Sequence, residues 1–317
     1  MIDIKRISER YGYLPYMIER YLKIFDYDEL LQYLDAVERG LPITIRVNTL
    51  KIPSDNLIQR LNSRGISLER ISWIPNAFKI IKTSFSISST PEHLLGYFFI
   101  QRVASMIPPI ELAPTTTDLI LDMCAAPGAK TTHLCQLMKN MGVIIAVDKS
   151  YQRAKILIEN LSRMGCLNTA VLNMDARKIG KLKIKFSKIL LDAPCTGEGL
   201  VVIDKKRKKS RSMEDILKMQ RIQKQLLEAA INVLDKDGLI VYSTCSIAPE
   251  ENEFVINDIL EKYTSVKVKE LSINSGSSGL TYYNGVNLNS DLKKARRFYP
   301  HTTSTIGFFV VKLVKEG

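Results

Sequence analysis

The amino-acid sequence predicts an α/β fold in which helices cover both faces of a doubly wound, mostly parallel sheet. After Pro114, apolar runs alternate with segments of helical character, which is the pattern of successive parallel strands. Two further apolar runs follow the fifth, so seven strands are expected. The predicted strands are 118–125, 143–148, 169–174, 186–193, 239–245, 265–271 and 305–313. At 317 residues and 45% hydrophobic composition, the chain can bury a core of this size.

Two smaller units are predicted before this sheet. Residues 1–43 are expected to form a helical extension, because apolar side chains recur near helical spacing until Gly40 and Pro42 interrupt them. Residues 44–114 are expected to form a compact α+β module, which leaves 115–317 for the doubly wound domain. Within the module, 44–48 and 78–87 are strand-like, and 54–64 and 91–106 are helical, the last closed by Pro108 and Pro109.

One segment of the large domain carries no strand or helix signal. Residues 272–290 are rich in Ser, Gly and Asn, which favours a long loop before the last strand. Residues 250–262 are predicted to be helical.

The net charge indicates a polyanionic partner. Lysine and arginine total 45 against 33 acidic residues, which gives +12 at pH 7. Nucleic acid is the leading candidate, and a basic surface that serves only solubility is the alternative. The basic residues cluster twice, at Lys205, Lys206, Arg207, Lys208, Lys209 and Arg211, and at Lys293, Lys294, Arg296 and Arg297. The first cluster follows the loop that carries Cys195, so we expect phosphate binding beside that loop.

The cysteines and the apolar runs argue against several protein classes. Five cysteines, with no CxxC spacing, fit neither a disulfide framework nor a zinc site. We therefore expect no metal and a reducing, cytoplasmic setting. Charges occur throughout the first 30 residues and no run of 18 apolar residues occurs, so neither a signal peptide nor a membrane span is expected.

Acidic residues end three consecutive predicted strands, at Asp122, Asp148 and Asp175. The carboxyl ends of such strands bind nucleotides, and the small residues of 123–129 let the backbone approach a ligand. Asp148 lies 20 residues beyond Gly128, from where a carboxylate can accept from ribose hydroxyls. Asp175 is expected to accept from the exocyclic amine of adenine. Each feature alone is also common in helix capping and packing, but together they favour an adenosine-containing ligand.

Two thiols follow the fourth and fifth strands at equivalent positions. Cys195 comes after Asp192, and Cys245 directly follows the strand 239–244. If these strands pair, they lie roughly 5 Å apart and both thiols reach one mouth of the sheet. A single buried cysteine is usually a small apolar residue, and we interpret Cys135 and Cys166 in that way. The placement of Cys195 and Cys245 at equivalent strand ends instead indicates that both thiols take part in catalysis.

At these residues the sequence resembles the Sun-type RNA (cytosine-5) methyltransferases, with archaeal tRNA members closest in appearance. The similarity is carried by Cys124–Lys130, Asp192–Cys195 and Ser243–Ser246, and it spans roughly residues 44 to 313. It also takes in Arg46–Leu50, Ser89–Pro109, Arg297–His301 and Gly307–Phe309. Two residues depart from the family pattern: Ala129 replaces a common second glycine, and Ile306 stands where Asp is frequent.

The resemblance implies a Rossmann-like, seven-stranded class I methyltransferase domain that uses S-adenosyl-L-methionine, with the 44–114 module binding RNA. By resemblance, Cys245 adds as a thiolate to carbon 6 of the cytosine, because carbon 5 alone is a poor nucleophile. Asp192 is assigned to the N3 edge of the base, and Cys195 to removal of the carbon 5 proton. The expected cofactor-binding residues are Cys124, Ala125, Ala126, Pro127, Gly128, Ala129, Lys130, Asp148, Arg153, Asp175 and Asp192.

The expected partner is RNA, with tRNA preferred and ribosomal RNA as the alternative. The target cytidine must be unstacked or unpaired to reach Cys245. A non-catalytic RNA-binding or ribosome-assembly factor would not need both thiols. An amino methyltransferase is disfavoured by the sequence Ala193-Pro194-Cys195, and a DNA methyltransferase by the presence of two cysteines. We expect a monomer that contacts no membrane.

Overall fold

The structure is a computed structural model that describes residues 2–317, and it begins with three helices. They are α1 (Ile4–Tyr11), α2 (Pro15–Tyr21) and α3 (Tyr27–Arg39). Asp3 caps α1 by accepting from the backbone N–H of Arg6, and Asp26 caps α3 by accepting from that of Glu29. The segment is helical, as its apolar spacing predicts.

An antiparallel sheet follows. Its elements are β1 (Thr44–Val47), α4 (Ser54–Ser63), β2 (Ser67–Arg70), β3 (Ala77–Lys82), α5 (Pro91–Leu94) and β4 (Phe98–Ile100). The strands pair in the order β2-β3-β1-β4. The prediction of one helix over 91–106 is wrong, because β4 interrupts it. Gly96, at φ +71°, turns the chain out of α5 so that β4 can pair with β1.

Helix α6 (Val103–Leu112) contains Pro108 and Pro109, which the sequence predicts to end a helix instead. A proline lacks the N–H that bonds to the carbonyl four residues earlier. The carbonyl of Ser105, freed by Pro109, accepts from Nε2 of Gln101 at 2.9 Å. Because α6 is buried along most of its length, packing outweighs the lost backbone bonds.

The remaining elements form the large domain, which contains the large sheet. They are β5 (Leu119–Met123), α7 (Ala129–Leu137), β6 (Val143–Asp148), α8 (Tyr151–Met164), β7 (Thr169–Asn173), β8 (Phe186–Asp192), α9 (Met213–Val233), β9 (Leu234–Thr244), α10 (Glu253–Lys262), β10 (Val266–Lys269), β11 (Ser277–Ser278), β12 (Tyr282–Tyr283), β13 (Val286–Asn287), β14 (Arg296–Phe298), α11 (Pro300–Thr303) and β15 (Phe308–Lys315). All seven predicted strands are present.

The sheet order is β11-β14-β15-β9-β8-β5-β6-β7, with β10 also pairing with β15. Strands β7, β6, β5, β8 and β9 are mutually parallel, and β15 runs antiparallel to β9. The doubly wound prediction is thus confirmed, with two additions. Short strands β11 and β14 extend the sheet, and β12 pairs with β13, so the segment 272–290 is not the plain loop that its composition predicts.

Polar contacts join the N-terminal sheet to the large domain. Arg46 of β1 is fully buried and donates to the carbonyl of Ala129 at 2.7 Å and to Thr132 Oγ1 at 2.9 Å. Burial without a carboxylate partner lowers the pKa of Arg46 to about 9. Asn48 donates to the carbonyls of Gly96 and Met164.

The sequence-predicted division at residue 114 remains a proposal. Helix α6 packs against α7, β8, β9 and β15, which favours assigning it to the large domain and moving the boundary to about residue 102. The N-terminal helices also contact that domain. Phe25, in the turn between α2 and α3, packs edge-to-face against Tyr299, with ring centroids 4.9 Å apart.

Candidate active site

The two thiols predicted to lie at one mouth of the sheet are in contact. Strands β8 and β9 pair in parallel with Asp192 opposite Ser243, which brings the loops that follow them together. The Sγ atoms of Cys195 and Cys245 are 3.1 Å apart, and both cysteines are free. This structural prediction is confirmed, because the pairing of the two strands fixes where their loops begin.

The contact with Cys245 affects the protonation of Cys195. The hydrogen bond to Cys245, and then burial, raise the pKa of the Cys195 thiol well above its usual range. Cys195 is therefore un-ionised at neutral pH in the free protein. Burial also raises the pKa of Cys124 to about 12, which makes that nearby thiol a poor nucleophile at neutral pH.

Asp192, the last residue of β8, is held on both carboxylate oxygens. Its Oδ2 accepts from Lys130 Nζ at 2.7 Å, and its Oδ1 accepts from Ser243 Oγ at 2.7 Å. Lys130 Nζ also donates to Ser105 Oγ at 2.9 Å. The carboxyl group is thus hydrogen-bonded and oriented, as its predicted role at a base edge requires.

Two adjoining cavities meet at Cys124, which lines both. The first, of about 480 Å³, has an apolar wall formed by Pro194 together with Met219, Ile222 and Leu226 of α9. The second, of about 290 Å³, contains Cys245 and Asp192. Ligands bound in the two cavities would therefore lie next to each other. The α9 wall was not predicted from the sequence, since its apolar side chains also read as ordinary helix packing.

The predicted cofactor-binding residues divide between these cavities. Asp148, Arg153 and Asp175 line the first. The second is lined by Ala125, Ala126, Pro127, Ala129, Lys130 and Asp192, so Asp192 faces the second cavity alone. Gly128 lines neither cavity. Its φ is +101°, and an added Cβ would lie 2.8 Å from Leu157 Cδ1, so this glycine serves the turn and the packing of α7 on α8.

The acidic residues at the ends of β6 and β7 differ in their contacts. Asp148 is buried and accepts from the backbone N–H of Ala126 at 3.2 Å and of Ser150 at 2.9 Å. Asp175 pairs with Arg177 at 2.6 Å, which lowers the pKa of that carboxyl to about 2. Both carboxylates lie at the same cavity, as predicted for a nucleoside-binding edge.

Asp122 is an additional polar group beside the second cavity. It is fully buried, its Oδ2 accepts from Thr131 Oγ1 at 2.7 Å, and its Oδ1 has no partner among the described residues. Burial raises the pKa of Asp122 to about 7. An orphaned carboxylate oxygen at this position suits a ligand that carries an amino group.

A buried carboxylate that the sequence analysis did not assign joins the two cysteine loops. Glu251 accepts from the backbone N–H and the hydroxyl of Thr196, at 2.8 and 2.6 Å, and from Ser246 Oγ at 2.5 Å. Thr196 follows Cys195, and Ser246 follows Cys245. Gln223 donates to the same carboxylate at 3.1 Å. In the sequence, the position of Glu251 in Pro249-Glu250-Glu251 indicates only the acidic start of a helix.

Replacing Glu251 with alanine is expected to lower both stability and turnover. Each buried donor left unpaired costs about 1–3 kcal/mol, and the two cysteine loops lose their common acceptor. Thermal unfolding and the rate of methyl transfer measure the two effects. Glu251→Gln should recover part of the stability, whereas Glu261→Gln on the exposed face of α10 should change neither. Wild-type turnover by Glu251→Ala would show that the carboxylate does not position the thiols.

Other buried pairs tie the cysteine loops to distant segments. Arg20 of α2 bonds to Glu198 at 2.7 Å and to Glu250 at 2.8 Å. Gly199 accepts from the N–H of Gly307 at 2.9 Å, and its own N–H donates to the carbonyl of Cys245 at 3.0 Å. A Cβ on Gly199 would lie 2.0 Å from the Gly307 carbonyl oxygen, so only glycine fits this approach.

The first basic cluster is partly internal. Lys208 is buried and bonds to Glu38 and to the carbonyl of Tyr11, while Arg207 and Arg211 each donate to the Thr196 carbonyl at 2.9 Å. Part of this cluster thus supports the fold, and phosphate binding beside the Cys195 loop stays a prediction. Lys206 and Lys209 are exposed and make no ion pair among the described residues.

The second basic cluster is also partly internal. Arg297 is buried, pairs with Glu253 at 2.8 Å and donates to the carbonyl of Ile247 at 3.0 Å, so it supports the segment that follows Cys245. Lys294 pairs with Asp291. Over residues 2–317, no helix is long and apolar enough to span a membrane, and no group of three or more His, Cys, Asp or Glu side chains forms a metal site.

Comparison with known proteins identifies the family. Residues 109–314 match the family described as 16S rRNA methyltransferase RsmB/F, and residues 14–102 match the N-terminal domain of 16S rRNA methyltransferase RsmF. The chain belongs to the RsmB/F methyltransferase family. The Sun-type resemblance is thus confirmed, as is a class I methyltransferase domain with a smaller domain before it.

Relatives of this RsmB/F family member carry both rRNA and tRNA names. The 28S rRNA (cytosine-C(5))-methyltransferase of Mus musculus is 38% identical over 98% of this chain, but the match takes in 40% of the mouse protein. The tRNA (cytosine(49)-C(5))-methyltransferase of Pyrococcus abyssi is 36% identical over 99% of this chain and 98% of its own length. This chain thus spans well under two thirds of the mouse relative.

Two solved structures share the fold of this family member. A methyltransferase homolog protein from Pyrococcus horikoshii is 41% identical, with a TM-score of 0.89 over 98% of both chains. NSun6 from Pyrococcus horikoshii, solved with SFG, is 29% identical with a TM-score of 0.84, over 94% of this chain and 97% of its own. All the predicted site residues fall within the segment that matches the RsmB/F family.

Proposed function

We propose that this protein methylates carbon 5 of cytidine in structured RNA, with S-adenosylmethionine as methyl donor and a covalent bond between Cys245 and carbon 6. The observation that carries the proposal is the 3.1 Å contact between Cys195 and Cys245, together with the position of Cys245 in the second cavity, which adjoins the larger first cavity. An RNA-binding scaffold without catalytic activity has no need for two thiols in contact beside an oriented carboxylate.

The first cavity suits the proposed cofactor. Its volume of about 480 Å³ and its apolar wall match a flat purine, and Asp148 and Asp175 offer acceptors for ribose hydroxyls and for an exocyclic amine. Asp122, which lines the adjoining second cavity, offers its unpartnered Oδ1 as an acceptor for the amino group of the cofactor. SFG, an analogue of S-adenosylmethionine, accompanies NSun6. Bound in this cavity, S-adenosylmethionine supplies the methyl group that is placed on carbon 5.

The residues of the second cavity divide the work of the reaction. The Cys245 thiolate forms a bond to carbon 6 of the cytosine, and the electron pair of the 5,6 double bond moves towards carbon 5 and the N3 edge. Asp192, oriented by Lys130 and Ser243, carries a proton at this step and donates it to N3 as the electron pair moves there. After methylation, Cys195 takes the carbon 5 proton as a thiolate, the electron pair of that C–H bond restores the 5,6 double bond, and the bond from carbon 6 to the Cys245 sulfur breaks. Cys195 loses its own proton to solvent before this step, because the hydrogen bond to Cys245 and the charge of Cys245, which raise its pKa, are absent while Cys245 is bonded to carbon 6.

Transfer RNA is the proposed substrate class. The tRNA relative from Pyrococcus abyssi matches this chain over nearly its whole length, whereas the mouse rRNA relative is more than twice as long. We further propose that the protein acts as a monomer in the cytoplasm. The test supplies labelled S-adenosylmethionine with purified tRNA and rRNA pools and resolves the product nucleosides. 5-Methylcytidine in tRNA supports the proposal; its appearance only in rRNA overturns the substrate, and methylation of another base position overturns the chemistry.

RNA affinity should fall steeply with salt, because phosphate contacts release counterions. Neutralising the exposed Lys206 and Lys209 together is expected to weaken binding and to reduce the slope of log K against log salt by about 1.4 for a single-stranded segment. Fluorescence anisotropy at several salt concentrations measures both effects. The matched control is Lys236→Ala with Lys267→Ala, which removes the same charge elsewhere. An unaltered slope in the Lys206/Lys209 variant would contradict phosphate contact by these side chains.

A further inference from the structure

Two cations line the cavity that contains Cys245, and they differ in their partners. Lys130 is bound by Asp192 at 2.7 Å. Arg102 also lines this cavity, yet it forms no ion pair with any carboxylate among residues 2–317. Its one hydrogen bond runs from Nη1 to the carbonyl of Pro42, at 2.8 Å. Most of the donors of its guanidinium therefore remain available.

The position of Arg102 is fixed by the fold. It lies between β4 and α6, where the N-terminal sheet meets the large domain, and the bond to Pro42 anchors its side chain to the segment before β1. Arg102 is half-buried, and this burial lowers its pKa because no anion offsets the desolvation. A partly desolvated cation without a counter-ion is unfavourable in the free protein, and a bound anion would offset that cost.

A nucleotide entering this cavity brings such an anion. When the base lies between Cys245 and Asp192, its sugar and phosphate must remain towards the opening of the cavity. Phosphate oxygens accept paired hydrogen bonds from the planar fork of a guanidinium, which an ammonium group cannot match. Lys130 is already engaged by Asp192, which leaves Arg102 as the available cation among the described lining residues.

We propose that Arg102 binds a backbone phosphate that adjoins the target cytidine and so holds the unstacked nucleotide in the cavity of Cys245. This inference rests on the proposed function, because it assumes that an RNA cytidine enters this cavity. It assigns Arg102 a positioning role at the substrate backbone, independent of base identity. The N-terminal sheet thereby contributes directly to the active site through the second residue after β4.

The test uses the full chain and an oligoribonucleotide that contains the cytidine methylated by the wild-type protein. Two further oligonucleotides carry an uncharged methylphosphonate, one at the 5′ phosphate and one at the 3′ phosphate of that cytidine. We expect one of these two neutralisations to weaken binding to the wild-type protein by about tenfold or more, as for loss of a charge-assisted hydrogen bond; no loss with either would overturn the proposed contact. Arg102→Ala should bind the unmodified RNA equally weakly and show little further loss with that methylphosphonate.

Further measurements separate the possible outcomes. Arg102→Ala should raise KM more than it lowers kcat, and Lys236→Ala, about 26 Å from the Cys245 end of β9, should leave both unchanged. If Arg102→Ala and the methylphosphonate weaken binding independently, the proposed contact is overturned. Weaker binding of S-adenosylmethionine with normal RNA affinity would assign Arg102 to the cofactor carboxylate and also overturn it. If the wild-type protein methylates no cytidine, the proposed function itself fails, and the inference fails with it.

Discussion

Cys245→Ala is expected to abolish both the covalent RNA adduct and the methylated product. Carbon 5 of cytosine becomes nucleophilic only after a thiolate has bonded to carbon 6, and the remaining thiols are poorly suited to that step. Cys195 keeps its proton, and the raised pKa of Cys124, about 12, leaves it un-ionised at neutral pH. We expect methyl transfer to fall by at least about four orders of magnitude.

Three readouts test this expectation: release of labelled product, a slower-migrating protein–RNA band in denaturing gels, and binding of S-adenosylmethionine. Cys245→Ala should lose the first two and retain the third. Cys166→Ala removes a thiol that lines neither cavity and should behave as wild type. Abundant product from Cys245→Ala would overturn the assignment of the nucleophile.

The sequence predicts the location of a site residue well where that location follows from the end of a strand. A parallel sheet places the residues after each strand along one edge, so Asp148 and Asp175 could be assigned to one cleft and the two reactive thiols to one mouth. The contact between Cys195 and Cys245 follows from the pairing of β8 with β9. Predictions of this kind need the parallel arrangement that the alternating apolar runs indicate, and the pairing of β8 with β9, which only the structure supplies.

The sequence was uninformative where a contact depends on a distant partner. Glu251 reads as part of an acidic helix start, and its role appears only when the loops of Thr196 and Ser246 close around it. Lys208 reads as part of a phosphate-binding run, but Glu38, 170 residues away, holds it inside the fold. A charge cluster in sequence does not reveal which of its members are already paired.

The N-terminal helices illustrate the same limit. Their apolar spacing predicts helices without indicating what those helices contact. In the structure, Arg20 of α2 pairs with Glu198, three residues beyond Cys195, and with Glu250, which adjoins Glu251. Residues of the helical extension therefore support the loop that carries one of the two thiols. Removing one partner of a buried ion pair lowers the free energy of unfolding by about 3–5 kcal/mol. The helical extension therefore helps to hold the loops that carry Glu198 and Glu250 in place.

Cys195→Ala is expected to give the opposite result to Cys245→Ala: the adduct forms and then persists. Cys195 Sγ lies 3.1 Å from Cys245 Sγ, so it is placed to take the carbon 5 proton, and loss of that proton lets Cys245 leave carbon 6. Without it, release should become rate-limiting, and a covalent protein–RNA complex should accumulate as product formation falls. Denaturing gels with labelled RNA measure the complex.

The double variant Cys195→Ala/Cys245→Ala is the matched control for that complex. It should form no adduct, because the proposed nucleophile is absent. Had Cys195 been the attacking thiol, as in the DNA cytosine-5 enzymes, the single variants would exchange phenotypes: Cys195→Ala would form no adduct and Cys245→Ala would accumulate one. The two single variants therefore distinguish the two orders of attack, which the geometry of a symmetric sulfur–sulfur contact does not by itself decide.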